Sequence, residues 1–195
     1  MLDVTPVSLE GKHVRLDPMR LEHYERLAEI GLGQDIFRYF PIAIDTEEQM
    51  LGYLQHSVAA TESGEMLVWV TVSRELGEPV GATSYLSIDR RNRKLEIGGT
   101  WVAPQWQRTP CNTEAKYLQL QHAFETLGCV RVEFKTDSLN AKSRAALLRI
   151  GAVEEGTMRN HIIRPDGRLR HSLYFNVLDS EWPGVRARLE GMLGL

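Results

Sequence analysis

The sequence predicts an α/β fold, a central mixed, mostly antiparallel sheet with helices on both faces. Three observations predict it. Two β-rich runs in "EMLVWVTVSRELGEPVGATSYLSI" are joined by "ELGEP", a hairpin signal. A β-α-β-α succession follows over roughly 95–151. Tyr117, Leu120, Phe124 and Leu127 then fall at helical spacing before Gly128.

The elements read in order as follows. "KHVRLDPM" alternates and forms a first strand. Residues 20–31 and 46–61 form helices, the second capped by Asp45 or Thr46 with Glu48 following. The hairpin comes next, then the strand "KLEIGGTWVA" and the helix 110–127. "VRVEFKTD" is a strand, and 140–150 is a helix closed by Gly151. Two long strands surround the turn "RPDGR", and an amphipathic helix follows "DSEWPG". Without a repeat or linker, 1–195 reads as a single domain.

Composition narrows the function. Hydrophobic content of 43% and charged content of 25% suit a chain that builds its own core. A net charge of −3 gives no global attraction to nucleic acid, so no nucleic-acid partner is expected. The absence of a long apolar run or leader pattern predicts no membrane contact and a cytoplasmic location. Cys111 and Cys129 form no CxxC pair, and the six histidines have no i,i+4 spacing, so no metal site is expected.

The stretch "QWQRTPCNTEAK" at 105–116 joins a strand to a helix. Thr109 is a natural N-cap, and Pro110 suits the first helical position. The N–H groups of Cys111, Asn112 and Thr113 would then lie free at the positive end of the helix dipole. Gln107, Arg108 and the Thr109 hydroxyl add donors, which together suit a phosphate or pyrophosphate. A second helix begins at Asn140, a good N-cap, with Ser143 one turn in. Two parallel strands feeding adjacent helices place both helix mouths on one sheet edge, where ligands of open sheets bind. Ordinary helix capping explains the same residues without a ligand.

The residues from "LEIGGTWVAPQWQRTPCNTEAKYLQLQHAFETLGCVRVEFKTDSLNAKSRAALLRIGA" to "EEGTMRNHIIRPDGRLRHSLYFNVLDSEWP" resemble the Gcn5-related N-acetyltransferase (GNAT) superfamily. They are similar in particular to its branch that acetylates ribosomal-protein N-termini, the RimJ/RimL type. Gln107 matches the first position of the family's Gln/Arg-x-x-Gly-x-Gly/Ala loop, whereas Pro110 and Asn112 replace its two small residues. The resemblance implies acetyl-coenzyme A between strands 95–103 and 131–136. It implies that the pantetheine arm pairs with backbone near Trp101 and Val102, that Asn140 contacts this arm, and that Ser143 lies beside the thiol. It also makes a homodimer plausible.

Amide formation needs a neutral amine, a held thioester and a proton for the leaving thiolate. An α-amine, with a pKa near ~7.8, is partly neutral at pH 7, whereas a lysine amine near ~10.4 is not. A modest base therefore suffices for a protein N-terminus or a small amine of similar pKa. Glu96 is the candidate base, on a strand face predicted to include Gly98, Thr100 and Val102; surface pairing with Arg93 or Lys94 is its alternative role. Ser143 is the candidate acid, Tyr117 a core residue by spacing, and a strand N–H near Val102 the oxyanion donor. Cys111 at a helix mouth invites a thiolate reading, although no His or Asp stands at partner spacing. Arg159, His161, Arg168, Arg170 and His171 flank the late hairpin, where they would line the acceptor side or simply alternate on exposed strands. The expected activity is acetyl-coenzyme A-dependent N-acetyl transfer to a primary amine. A cofactor-binding module without turnover is the competing expectation.

Overall fold

The computed structural model describes residues 2–195. Its strands are β1 (Leu9–Glu10), β2 (Val14–Pro18), β3 (Leu67–Ser73), β4 (Pro79–Asp89), β5 (Lys94–Val102), β6 (Arg131–Asp137), β7 (Val153–Ile163) and β8 (Leu169–Leu178). The helices are α1 (Tyr24–Gly31), α2 (Glu47–Glu62), α3 (Pro110–Gln121), α4 (Ala141–Ile150) and α5 (Trp182–Leu193). The strands form one sheet in the order β1-β2-β3-β4-β5-β6-β8-β7. Every neighbouring pair is antiparallel except β5 and β6. Both the mixed sheet and its element order agree with the sequence reading.

Local chemistry sets the boundaries. The Thr46 side chain accepts from the Gln49 N–H and the Gln49 side chain from the Thr46 N–H, a reciprocal box that starts α2. Gln49 takes this role, not the Glu48 that the sequence suggested. Gly151 stops α4 at φ +97°, a left-handed conformation that a side chain would strain.

Two apolar layers sandwich the sheet. α1 and α2 cover one face, where Leu27, Met50 and Leu54 meet Val68, Val70, Ala82 and Trp101. α3, α4 and α5 cover the other, where Leu120, Leu147 and Leu189 meet Leu95, Ile97, Val132 and Phe134. Trp69 and Trp101 are core residues. Tyr117 is buried and donates its hydroxyl to Glu190 of α5 at 3.0 Å, as its helical spacing predicted for a packing residue.

β4 and β5 approach closely at a bulge. Ala82 pairs with Trp101 and Ser84 with Gly98, so β5 carries one extra residue. Gly99 sits there at φ +58°. A Cβ on Gly81 would lie 2.1 Å from the Trp101 carbonyl oxygen, so the backbone itself fills that space. Gly81→Ala is expected to cost about 2–3 kcal/mol of unfolding free energy in urea titration, because no flexible side chain can yield.

Candidate active site

The parallel contact between β5 and β6 is short. Lys94, Leu95 and Glu96 pair with Arg131, Val132 and Glu133, and no pairing between the two strands continues beyond. From residue 97 on, β5 stays with β4 while β6 stays with β8. The sheet therefore opens into a V whose vertex lies at Glu96. The Ala103 N–H bonds to the Val80 carbonyl at 2.9 Å, so alternation turns the Val102 N–H and C=O toward the open side. There the Gln107 side-chain amide donates to the Val102 carbonyl at 3.2 Å.

The turn after β5 curls through Arg108, a non-glycine residue at φ +62°. The Thr109 hydroxyl donates to the Trp106 carbonyl at 2.7 Å and accepts from the Cys111 N–H at 3.3 Å. Pro110 occupies the first position of α3. Thr109 and Pro110 are thus where the sequence placed them. The Cys111 N–H is engaged by the cap, which leaves Asn112 as the first-turn donor facing outward. The buried Oδ1 of Asn112 has no partner among the described residues. At the second helix mouth, the Asn140 side chain accepts from the Ser143 N–H at 3.0 Å. Because β5 and β6 run parallel, α3 and α4 start at the same sheet edge, as expected.

The other residues predicted at the site divide. Thr113 is buried, and its hydroxyl accepts from Arg149 of α4 at 2.9 Å, so its side chain joins helices. Cys111 points into the core, and burial pushes its thiol pKa up. That corrects the thiolate expectation, since desolvation outweighs the helix dipole.

Glu96 is 4% exposed. Its carboxylate pairs with Lys135 of β6 at 2.7 Å rather than with Arg93 or Lys94. The Ser87 hydroxyl lies 3.4 Å away. Burial pulls the Lys135 pKa down, but Glu96 more than offsets this and the net shift is upward. The predicted face Glu96-Gly98-Thr100-Val102 is broken by the bulge. Glu96, Gly98 and Trp101 share the α1/α2 side, whereas Thr100 turns toward α3.

Sequence reasoning missed two buried groups on α3. Lys116 donates to Thr100 Oγ1 at 2.6 Å, Thr83 Oγ1 at 3.1 Å and Gln119 Oε1 at 3.2 Å. Burial pushes its pKa down to about 7. Glu114 accepts from the N–H groups of Lys12, His13 and Val14 at 2.9, 2.6 and 2.7 Å. The only sequence signal for either was a charge on the apolar side of an amphipathic helix. The late-hairpin residues also separate: His161 and Arg170 converge on the Ser172 hydroxyl at 3.0 and 3.1 Å, on the Glu96 side. His171 instead accepts from the Asn160 N–H at 2.8 Å.

A mixed sheet that splays between two parallel strands, with a helix mouth above each arm, defines an acyltransferase fold. Residues 13–153 match the acetyltransferase (GNAT) domain, and the chain belongs to that family of N-acetyltransferases. It is 35% identical over 110 residues to the Bacillus subtilis protein named "Putative ribosomal N-acetyltransferase YdaF". That stretch covers 56% of this chain and 59% of the relative, so the two are aligned over little more than half their lengths. A GCN5-related N-acetyltransferase from Brucella melitensis superposes with a TM-score of 0.88 at 29% identity, over 99% of this chain and 90% of that one. Mycobacterium smegmatis RimJ in complex with CoA-disulfide shares the fold, with a TM-score of 0.83 at 24% identity over 97% and 95% of the two chains.

Proposed function

We propose that this acetyltransferase uses acetyl-coenzyme A to acetylate the α-amine of a protein N-terminus, of the ribosomal-protein type. Small amines of similar pKa are the nearest alternative acceptors. The buried Glu96 carboxylate at the vertex of the V carries this reading. It stands where two strands part, buried beside Lys135 and Ser87.

The residues present fit the acetyl donor. Arg108 and the N–H groups of Thr109 and Asn112 would hold the pyrophosphate at the mouth of α3, the Thr109 hydroxyl being committed to the Trp106 carbonyl rather than free to donate. The left-handed Arg108 supplies the curl that family loops obtain from small residues, and Gln107 braces the loop onto β5. Val102 offers strand backbone to the pantetheine arm, whereas the Trp101 backbone faces β4 instead, and Asn140 and Ser143 flank the arm from α4. When bound, the donor supplies a thioester carbonyl.

Glu96 accepts a proton from the incoming amine, directly or through water. The demand is small, because an α-amine of pKa ~7.8 is partly neutral already. The amine nitrogen then bonds to the carbonyl carbon as the carbon–sulfur bond breaks. A β5 N–H near Val102 would stabilise the developing oxyanion, and the Ser143 hydroxyl would pass its proton to the departing thiolate and regain one through solvent from Glu96, so that one proton moves from nitrogen to sulfur overall. Lys135 holds the Glu96 carboxylate in place.

Glu96→Gln is expected to lower kcat about 10²–10³-fold for an N-terminal peptide while leaving coenzyme A affinity within twofold. Thiol release and calorimetry check the two halves. Undiminished turnover would remove Glu96 from the chemistry, and an absence of coenzyme A binding would remove the reading altogether.

A further inference from the structure

The acceptor side of the sheet carries more positive charge than its own carboxylates neutralise. Arg164 and Arg168 face each other across the late hairpin, where the Arg164 N–H bonds to the Arg168 carbonyl at 3.0 Å. Arg170 lies two residues from Arg168 and opposite Ile162, so all three arginines share one face. That face includes Ser172, Tyr174 and Lys135, hence Glu96. Asp137, on β6, pairs with Arg168 at 2.5 Å. Among the described residues, neither Arg164 nor Arg170 has a carboxylate within 4.0 Å.

Arg170 is 6% exposed. Its partners are neutral: the Ser172 hydroxyl at 3.1 Å and the Tyr39 carbonyl at 3.3 Å. The buried Nε of Arg164 has no partner among the described residues. A guanidinium removed from water with its counter-charges, Asp137 and Glu96, held beyond ion-pair distance is costly, and its fork geometry suits a carboxylate. Tyr39 belongs to the segment between α1 and α2, so the Arg170 bond ties that segment to β8 on the Glu96 side of the sheet.

The spacing selects the ligand. Tyr174 is paired with Lys135, the partner of Glu96; along β8 the Arg170 guanidinium leans back onto Ser172, two residues from Tyr174, and Arg164 lies opposite Arg168, six residues from Tyr174. At roughly 3.3 Å per residue the subsite spans about 7 to 20 Å from that level. A free amino acid, with its carboxylate one carbon from its amine, cannot span this. An extended peptide of about four residues can. The phosphates of the acetyl donor belong to the helix mouths, and α3 and α4 pack on the opposite face of the sheet.

We infer that Arg164 and Arg170 form an anion subsite for the acceptor, selecting protein N-termini that carry an acidic side chain at about the third to fifth residue. This rests on the N-terminal acetylation reading and names its substrate class.

The test uses two heptapeptides that differ only by Glu or Gln at position four. Wild-type protein is expected to favour the Glu peptide about tenfold in kcat/KM. Arg164→Met, on the half-buried hairpin, is expected to cut that preference to twofold or less without changing coenzyme A affinity. Arg170→Met should do the same even if it also loosens the Tyr39 segment. Equal rates for the two peptides, or loss of coenzyme A affinity in Arg164→Met, would overturn the subsite. If neither peptide is acetylated, calorimetry with the two N-acetylated products decides the matter separately. Tighter binding of the Glu form would keep the subsite and discard acetyl transfer to N-termini. Equal binding would discard the subsite.

Discussion

Replacing Glu114 by alanine is expected to lower the unfolding free energy by about 3–5 kcal/mol, measured by denaturant titration with an unchanged m-value. The carboxylate is 1% exposed and gathers three successive N–H groups where the chain enters β2. Truncation leaves those donors without an acceptor, in a place where the packed helix excludes water. Gly11 shows how tightly the turn closes on Glu114, since a Cβ there would lie 2.5 Å from the carboxylate carbon. Glu114→Gln keeps one acceptor oxygen and is expected to lose about half as much. Coenzyme A affinity measured below the unfolding transition should stay within twofold, because the side chain points away from the helix mouth and into the β1–β2 turn.

The second large effect is a pH dependence from Lys116. Its folded-state pKa is lowered by burial to about 7, against about 10.4 for an unfolded lysine. Between these values the unfolded chain binds more protons than the folded one, so stability rises with pH. From pH 6.5 to 9.5 this single group contributes about 3 kcal/mol of increasing stability. Lys116→Met abolishes the contribution. The wild type should therefore gain about 3 kcal/mol relative to Lys116→Met as pH is raised between these limits, read as the difference between two denaturation series. A constant difference would show that the amine stays charged, its three acceptors outweighing the desolvation.

Much of the fold was legible because its signals are local. Thr109-Pro110, Thr46 and Asn140 announce helix starts, and Gly151 a helix end, through bonds made within a few residues. The hairpin strands follow from alternation and turn chemistry. The site was legible in part, since Gln107, Thr109 and Asn140 act within the turns that contain them. Thr100 was misplaced because a bulge shifts every later side chain to the other face, and it shows only in the register of β5 against the neighbouring strand β4. Lys135 as the partner of Glu96 was equally hidden, because only the register of two strands more than thirty residues apart brings them together. Glu114 and Lys116 looked like ordinary helix charges. Nothing nearby in sequence reveals that their partners are a distant turn and the underside of β5.

The β5–β6 contact has a mechanical consequence. The strands β1–β5 form one antiparallel raft and β6–β8 another, and in the sheet they are stitched together by three residue pairs. A sheet joined this way has a weak line through its middle as well as at the β1 rim, where two pairs hold the edge. Whatever is clasped in the cleft serves as a splint across that line.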